Sequence, residues 1–510
     1  MGALAVILFG GFVYAAYVLG SRDTVRPLYG FVLGWLFFPK YIQRLPVVGG
    51  LPWEHVRIFD FVEAIMGLVL VLAIVLRRGS PRDGWRERRR FRRLGLTLLV
   101  VGTVSLVCEF IYAGQGSYPG DDVPMRMRVR PMLTIVYGVI MLFGCLTFVR
   151  SLRHVTVILS LFALAGLELL FEVVFLYYLN LLPFLNLWVM HGSGRFDSIS
   201  LMSFDAVGFV MIAAMSCAGF FVLRSRNIMR LGIVPLMFLP VIATLQKAPL
   251  TGALVSFGFL LWYGFRRLRV VLVIAVGWLV LFQSVTMTAI ESGASEINLS
   301  LGGAERRNIS ALDTLTARAA LWLRGVDLIA HNFPFGTGEG MTQQHMGAAI
   351  PQFAQDLIVG FVSRVDMRLF AAAHTTNVHN AYLEFIIEHG LFGFIPLVMF
   401  LAILGRNFAS FVRQYRDFQT EQGIRIYTAE ICVYAALFGI GWRFLFQSGN
   451  KYYFVLFIFL FLSSLLRRLR TEHQLELDAQ AGDETAGIAV ENPDGTRGPK
   501  VPLHIGSPIS

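Results

Sequence analysis

Residues 379–404, HNAYLEFIIEHGLFGFIPLVMFLAIL, begin with polar side chains and continue as a long apolar run. A helix needs roughly 20 mainly apolar residues to cross the hydrocarbon core of a bilayer, and residues 380–404 meet that requirement. Similar runs recur along the 510-residue chain, which is 56% hydrophobic and 15% charged, with a mean hydropathy of +0.64. The sequence therefore predicts an all-α fold, a polytopic helical bundle in a lipid bilayer.

The apolar runs predict about twelve membrane spans, or thirteen if the short run LYGFVLGWLFFP at 28–39 crosses and is not re-entrant. The N-terminal run lacks a basic leader region and a convincing cleavage site, so we expect it to be a retained helix. The predicted spans are 2–19, 61–76, 94–113, 132–149, 154–183, 199–223, 231–246, 250–265, 270–291, 380–404, 426–446 and 452–466.

Basic segments between the spans predict their orientation. The arginine-rich segment RRGSPRDGWRERRRFRRLG at 77–95 is typical of a cytoplasmic loop. Alternation from it predicts that RMRVR at 126–130 is outside, against the rule, and that the remaining basic segments are cytoplasmic, namely 150–154, 224–230, 265–269, 406–416 and 467–470. The start of the span at 380–404 is then extracytoplasmic.

Two segments lie outside the apolar runs. Residues 292–378 form a long extracytoplasmic loop before the tenth span, with a predicted helix at 312–334 and the glycine-rich turn FGTGEGM at 335–341. Residues 471–510 are polar and rich in Gly and Pro, which predicts a disordered cytoplasmic tail. The chain thus divides into an N-terminal bundle at 1–291, the loop at 292–378, a helix with the C-terminal spans at 379–470, and the tail at 471–510.

Charge and cysteine content exclude several function classes. The net charge is +11, but the basic residues occur in short clusters between apolar runs, which argues against a nucleic-acid partner. The four cysteines, at 108, 145, 217 and 432, lie within apolar runs without ligand-like spacing. They indicate neither a disulfide framework nor a zinc site, and the scattered histidines predict no metal site.

His379 and Asn380 begin the span at 380–404 on its extracytoplasmic side. The free N–H groups and the positive dipole end of a helix start favour an anion such as phosphate. Alternatively, Asn380 only caps the helix and His379 lies at the membrane interface. Gly390 and Gly393 are expected to let another backbone approach closely.

Three further basic residues are predicted on the same side of the membrane. Arg195 lies in HGSGRFDS before a span, Lys247 in LQKAPLTG between two spans, and Arg318 in the predicted helix of the loop. Each alone is typical of an interfacial anchor. Their number on a face where few are expected favours a common anion site.

These residues carry a resemblance to a known family. HNAYLEFIIEHGLFG at 379–393 resembles the signature of the O-antigen ligase and O-antigen polymerase superfamily of bacterial membrane glycosyltransferases: His, Asn, nine residues, Gly, two residues, Gly. ARAALWLRGVDLIAHNFPFGTGEG, which starts at residue 317, is similar to that family's arginine, tryptophan-containing helix and Pro to Gly-x-Gly turn. The family often has a Ser-Arg-Gly step where this chain has Lys247, so the correspondence there is incomplete.

The resemblance implies a transferase of the bacterial inner membrane that moves a glycan from a polyprenyl-diphosphate donor to a glycan or lipid-glycan acceptor, without metal or other cofactor. His379 would be the general base. Arg318 would be the principal diphosphate contact, with Arg195 and Lys247 as secondary contacts. Asn380 and Tyr382 would orient the histidine or the acceptor. Other membrane proteins of polysaccharide assembly are potential partners.

Several alternatives remain open at the level of sequence. The superfamily includes polymerases of a surface or exopolysaccharide repeat unit, ligases to a lipid A core and oligosaccharyltransferases to protein, and we favour a polymerase. A secondary transporter would also be a bundle of about twelve helices, although no repeat symmetry is evident. A non-catalytic scaffold is a third alternative. We assign no role to the ionisable residues within or near the spans, Glu109, Glu168, Glu172, Asp205 and Arg443.

Overall fold

The computed structural model confirms the helical architecture. No β-strand occurs among the described residues. Besides some single positions, these are residues 25–37, 58–76, 86–114, 125–181, 204–225, 233–244, 246–265, 311–338, 378–413, 420–446 and 453–488.

Helical segments follow one another through the described residues. A π-helical segment, Glu172–Tyr178, continues directly from the fifth helix. The α-helices are α1 Arg26–Phe37, α2 Ile58–Leu76, α3 Arg86–Gly114, α4 Met125–Phe148, α5 Leu152–Phe171, α6 Phe204–Ser225, α7 Ile233–Leu236, α8 Phe238–Ala243, α9 Lys247–Gly264, α10 Ala311–His331, α11 Ala381–Arg413, α12 Glu421–Leu445 and α13 Tyr453–Ile488.

Four described helices are long and apolar enough to cross a membrane: Leu152–Tyr178, Ala206–Leu223, Ala381–Arg413 and Glu421–Leu445. Each corresponds to a span predicted from sequence. Shorter apolar helices coincide with four other predicted spans, namely Ala64–Leu76, Ile135–Phe148, Val234–Ala243 and Ala248–Gly264. The predicted runs at 2–19 and 270–291 lie almost wholly outside the described residues. The membrane-type bundle is therefore confirmed, while the number of twelve or thirteen spans stays a prediction.

The centre of the bundle is α12, which packs against α6, α9, α11 and α13. Helix α6 is almost entirely buried, so it is enclosed by protein and not by lipid. Close contact between α9 and α12 is possible because Gly252 has no side chain: a Cβ there would lie 2.7 Å from the carbonyl oxygen of Gly439. Small residues at such contacts are typical of helix packing in membranes.

Helix α13 continues well beyond its apolar part, to Ile488. The expectation of a disordered tail from residue 471 was therefore wrong for residues 471–488. Pairs four residues apart along the helix support this extension, including Arg468 with Glu472 at 2.6 Å and Gln474 with Asp478 at 3.1 Å. Residues 489–510 lie outside the described part of the chain.

Of the predicted loop at 292–378, the structure describes residues 311–338, 342 and 378. The helix expected at 312–334 is α10, Ala311–His331, and it packs against α11. The described part of the loop and the helix that follows it therefore pack together, although the sequence pattern predicts a boundary between them at residue 378.

Candidate active site

His379 precedes α11 in an unusual backbone conformation. Its φ is +52°, a left-handed value that non-glycine residues rarely adopt and that is found mainly in turns and at functional sites. The next residue, Asn380, caps the helix: its Oδ1 accepts a hydrogen bond of 3.0 Å from the backbone N–H of Leu383. The capping role is thus confirmed for Asn380, and it fixes the half-buried His379 at the first turn of α11.

Helix α10 packs against this first part of α11. A Cβ at Gly325 would lie 2.9 Å from the side chain of Ile387 and 3.0 Å from that of Leu383, so the two helices are in close contact there. Leu328 and Val378 are buried in the same small apolar cluster as Ile387. Farther along both helices, residues just after α10 bond to residues around Gly390. The two helices therefore run in the same direction.

Because α10 and α11 are parallel, Arg318 and His379 occupy similar positions along the axis of the helix pair. Position 318 is seven residues before Gly325, or about two helical turns, and therefore on the same face of α10. His379 is four residues before Leu383, which contacts Gly325. Both positions thus lie at the end of the helix pair where α11 begins. The side chain of Arg318 is outside the described part of the structure.

The glycine-rich turn after α10 joins a break in α11. Gly390 has φ +57° and ψ −140°, which interrupts the helix. The backbone N–H of Thr337 donates to the Ile387 carbonyl at 2.9 Å, and that of Leu391 donates to the Pro334 carbonyl at 2.8 Å. The N–H of Gly338 donates to the Glu388 carbonyl at 3.0 Å. Backbone groups freed by the break are therefore satisfied by the turn and need no water.

The two parts of the predicted signature thus interlock through their backbones. A Cβ at Gly390 would collide with the Pro334 carbonyl oxygen, and one at Gly336 would lie 2.5 Å from the Glu388 carbonyl oxygen. Gly336 also has a left-handed φ, of +84°. The expected close approach of another backbone therefore occurs at Gly390.

Gly393 packs against residues of its own helix. The atoms nearest to a Cβ there belong to α11 itself: the Cβ of His389 at 2.6 Å and the carbonyl oxygen of Phe385 at 2.9 Å. The break at Gly390 bends the helix so that residues one and two turns apart come together. Gly393 accommodates this bend, and close approach of a second backbone at this position stays a prediction.

The side chain of Glu388 adds a further connection at the break. Its Oε1 accepts a hydrogen bond of 3.0 Å from the hydroxyl of Thr342, just after the turn. The hydroxyl of Ser105, in α3, lies 3.5 Å from the Glu388 carbonyl oxygen. The residues at the break therefore contact both the segment after α10, through Thr342, and α3, through Ser105.

Tyr382 connects the first turn of α11 to the end of α12. Its hydroxyl donates a hydrogen bond of 3.2 Å to the Gly441 carbonyl, and its ring lies edge-on to that of Phe444. Arg443, in the same turn of α12, is fully buried, with its guanidinium over the ring of Phe209 at 5.6 Å. The sequence analysis assigned no role to Arg443, and the structure places this buried cation close to the start of α11.

The start of α9 lies at the same end of the bundle. Lys247 is the first residue of α9, and a Cβ at Gly252, in its second turn, would lie 3.3 Å from the Cβ of Arg443. The side chain of Lys247 is outside the described part of the structure. Its helix is nevertheless in contact with the turn of α12 that Tyr382 bonds to.

Arg195 lies outside the described residues, but its neighbour Phe196 does not. The N–H of Phe196 donates to the carbonyl of Ala243 at 3.0 Å, shortly before α9 begins. Its ring contacts that of Tyr177 in the π-helical segment, with centroids 5.7 Å apart. Position 196 is therefore held beside the α8–α9 junction.

Sequence reasoning missed Arg324, a buried arginine of α10. Its Nη1 forms an ion pair at 2.5 Å with Asp327, one turn on, and Asp327 also lies 3.2 Å from Nδ1 of the exposed His331. The spacing of Arg324 and Asp327, three residues apart in a predicted helix, was the available signal. Asp327 thus balances the charge of Arg324 within α10. In the part of the chain that the structure describes, no group of three or more His, Cys, Asp or Glu could hold a metal ion.

Comparison with known proteins supplies independent information on this region. The family model described as O-Antigen ligase matches residues 232–398. The match includes Lys247, Arg318, His379 and both glycines of the signature, but not Arg195. A search of curated proteins found no match. Over residues 232–398, this match confirms the resemblance to the O-antigen ligase and O-antigen polymerase superfamily of membrane glycosyltransferases.

Proposed function

We propose that the protein transfers a glycan from a polyprenyl diphosphate to the hydroxyl of an acceptor sugar, at a site around the start of α11 that faces away from the cytoplasm. The family match supports glycan transfer in general. The observation that carries the site is the parallel packing of α10 on α11, with their backbones joined at Gly390. It holds the helix of Arg318 and the turn of His379 in one rigid pair.

In this proposal His379 is the general base. An unprotonated ring nitrogen accepts the proton of the acceptor hydroxyl, whose oxygen attacks the anomeric carbon of the donor sugar. The bond between that carbon and the diphosphate oxygen breaks, and the diphosphate leaves on its polyprenyl carrier with the electron pair. The Asn380 cap and the Tyr382 hydrogen bond fix the first turn of α11, so that the imidazole meets the acceptor in one orientation.

Arg318 is proposed to stabilise the charge that develops on the leaving diphosphate, with Lys247 and Arg195 as secondary cations. A guanidinium forms two parallel hydrogen bonds with a phosphate group, whereas an ammonium acts as a point charge. The contacts of Gly252 and Phe196 support this grouping, because Gly252 packs the first part of α9 against α12 and Phe196 bonds to Ala243 shortly before α9. No step of this scheme uses a metal or other cofactor.

The experiment that tests the base compares His379→Ala with wild type. Purified protein is supplied with a polyprenyl-diphosphate oligosaccharide and an acceptor, and the product is quantified. We expect His379→Ala to lower turnover about 100-fold or more, because the acceptor then keeps its proton. His331→Ala, on the exposed end of α10, is the matched control and should retain activity. Wild-type turnover by His379→Ala would refute the assignment.

Arg318→Lys tests the diphosphate contact. The lysine keeps the charge but loses the bidentate geometry, so we expect turnover to fall roughly tenfold or more. The measurement is initial rate against donor concentration in the same assay. Arg425→Lys, at an exposed arginine of α12, should behave like wild type. Unchanged rates in Arg318→Lys would show that a bidentate contact at this position is not required.

We favour a polymerase of a surface or exopolysaccharide repeat unit over a ligase or a protein oligosaccharyltransferase. The departure from the family's Ser-Arg-Gly step at Lys247 supports this preference. Glycan gels of a deletion strain separate the three activities. A polymerase mutant would carry single repeat units or lack the polymer, a ligase mutant would have full-length core without any O-chain, and a protein-transferase mutant would show an altered glycoprotein.

A further inference from the structure

The opposite end of the bundle carries a second concentration of positive charge. Helix α3 begins with the basic sequence RERRRFRR at 86–93, and α13 has RRLR at 467–470 directly after its apolar part. The rings of Phe91 and Phe461 are in contact, with centroids 5.7 Å apart, so the two helices meet close to these basic sequences. Helix α11 ends at Arg413 on this side, far from its start at the candidate active site.

One arginine of this group is neutralised inside the protein. Nη1 of Arg470 lies 2.7 Å from Oε2 of Glu430, and both side chains are almost completely buried. Nη2 of Arg470 donates a further hydrogen bond of 3.0 Å to the hydroxyl of Ser410. The carboxylate of Glu430 is therefore engaged by Arg470.

Arg467 has a neutral partner instead. Its Nη1 donates a hydrogen bond of 3.3 Å to Oδ1 of Asn407 in α11. The amide nitrogen of Asn407 in turn donates to the hydroxyls of Ser463 and Ser464, at 3.0 and 2.6 Å, which fixes the orientation of the amide. The arrangement orients the half-buried guanidinium without cancelling its charge.

The charges near Arg467 are mainly positive. The pKa of its guanidinium is lowered, first by partial burial and then by the nearby charges of Arg470 and Arg90, while Tyr434 and Glu430 act in the opposite direction. Arg90, in the first turns of α3, is exposed. An anion that reaches both Arg467 and Arg90 would relieve the repulsion between them and gain charge-assisted hydrogen bonds.

The position of this cluster along the helices defines the kind of anion. Arg467 follows the apolar residues of α13, and Arg90 precedes those of α3 by one turn. Cations at such boundaries lie at the depth of lipid phosphates. Leu96 and Val100 of α3, both 56% exposed and one turn apart, offer an apolar surface beside the basic turn. Charge and apolar surface together match a lipid headgroup with its acyl chain.

We propose that Arg467 and Arg90 form a binding site for the phosphate of an anionic phospholipid, at the end of the bundle opposite to the candidate active site. The Asn407 amide presents the Arg467 guanidinium to the headgroup, and the exposed stripe of α3 takes up an acyl chain. The site does not depend on the proposed glycan transfer. A lipid bound there would link α3, α11 and α13.

The test compares the full-length protein in nanodiscs of phosphatidylcholine and in nanodiscs that also contain phosphatidylglycerol. The readouts are the Tm and, by native mass spectrometry, the number of phosphatidylglycerol molecules retained. We expect phosphatidylglycerol to raise the Tm of wild type, and the double variant Arg90→Gln and Arg467→Gln to lose most of that rise and one retained lipid. Arg425→Gln is the matched control, because this arginine is at the same end of the bundle, where its guanidinium forms an ion pair with Glu421. This control variant should keep both the phosphatidylglycerol-dependent rise in Tm and the number of retained phosphatidylglycerol molecules.

Three outcomes would overturn the proposal. The double variant could keep the full phosphatidylglycerol-dependent rise, Arg425→Gln could lose it equally, or inorganic phosphate added to phosphatidylcholine nanodiscs could produce the same rise in wild type. The last outcome would indicate a site for a soluble anion. Should the double variant fail to fold, Arg90→Gln alone replaces it, because an exposed side chain tolerates this change, and a partial loss of the rise is then expected.

Discussion

The two parts of α11 on either side of Gly390 are both apolar in sequence, yet they have different surroundings. None of residues 381–390 is exposed, since α10, its glycine-rich turn and α12 cover them. After the break, a row of large apolar side chains is exposed: Leu391, Phe394, Ile395, Val398 and Leu401. In a membrane these contact lipid. Hydropathy identifies both parts as membrane helix, but only the tertiary structure distinguishes the part that is enclosed by protein.

The buried ionisable residues of α11 follow the same division. Glu384, Glu388 and His389 are buried in the first part, and each lies within two helical turns of the break. Burial of ionisable groups in a membrane helix is costly unless protein groups stabilise them, as Thr342 does for Glu388. The comparison supports the proposed site in the first part and a lipid-facing, anchoring role for the second.

Gly390→Ala is expected to have the largest effect on the difference between the two parts. The new Cβ would collide with the Pro334 carbonyl, and alanine would be strained at φ +57°. We expect a loss of about 3 kcal/mol or more in the free energy of unfolding, together with loss of activity. The check is chemical denaturation in detergent, followed by helix content. Gly405→Ala, where no atom lies within 4 Å of the new Cβ, should be neutral or slightly stabilising.

Ile387→Ala and Ile395→Ala form a matched pair across the break. Ile387 is fully buried against α10, whereas Ile395 is 45% exposed. Truncation at Ile387 should lower the free energy of unfolding by about 2–5 kcal/mol, because it leaves a cavity between the two helices. At Ile395 the change should be about 0.5 kcal/mol or less. Equal losses at both positions would contradict the division of α11 into an enclosed and a lipid-facing part.

Tyr382→Phe is expected to have a smaller effect than Gly390→Ala or Ile387→Ala. It removes the hydrogen bond to the Gly441 carbonyl and keeps the packing on Phe444. We expect a loss of about 1 kcal/mol in stability and a moderate decrease in turnover, since the first turn of α11 loses one of its restraints. Thermal unfolding and the transfer assay measure the two effects. A gain in turnover would show that this restraint opposes the reaction.

Much of the fold could be predicted from the sequence because long apolar runs directly reflect the thickness of a bilayer. The capping role of Asn380 was also predictable, as it depends on residues within one helical turn. The extension of α13 to Ile488 was missed, because a polar, Gly-containing segment gives no hydrophobic signal even where pairs along the helix support it.

The break in α11 was not predictable from local sequence. Gly390 was identified as a place of close approach, but its partner, the turn at 334–338, is more than 50 residues away along the chain. The same limitation applies to Arg443, whose neighbours Phe209 and Gly252 come from other helices. Periodicity gives the face of a helix, but it does not give the element that covers that face.

The bonds at the break also determine how the chain leaves and rejoins the helix pair. Gly338 is bonded to Glu388, and Val378 is buried against Leu328 and Ile387, so both ends of the segment at 339–377 are anchored on the same two helices. Loop-closure entropy rises only slowly with length, by about 0.6 kcal/mol for each doubling. A change in the length of chain between these anchors would therefore leave the packing of α10 on α11 in place. Under the proposed function, such a change would alter acceptor preference without rebuilding the helices that carry Arg318 and His379.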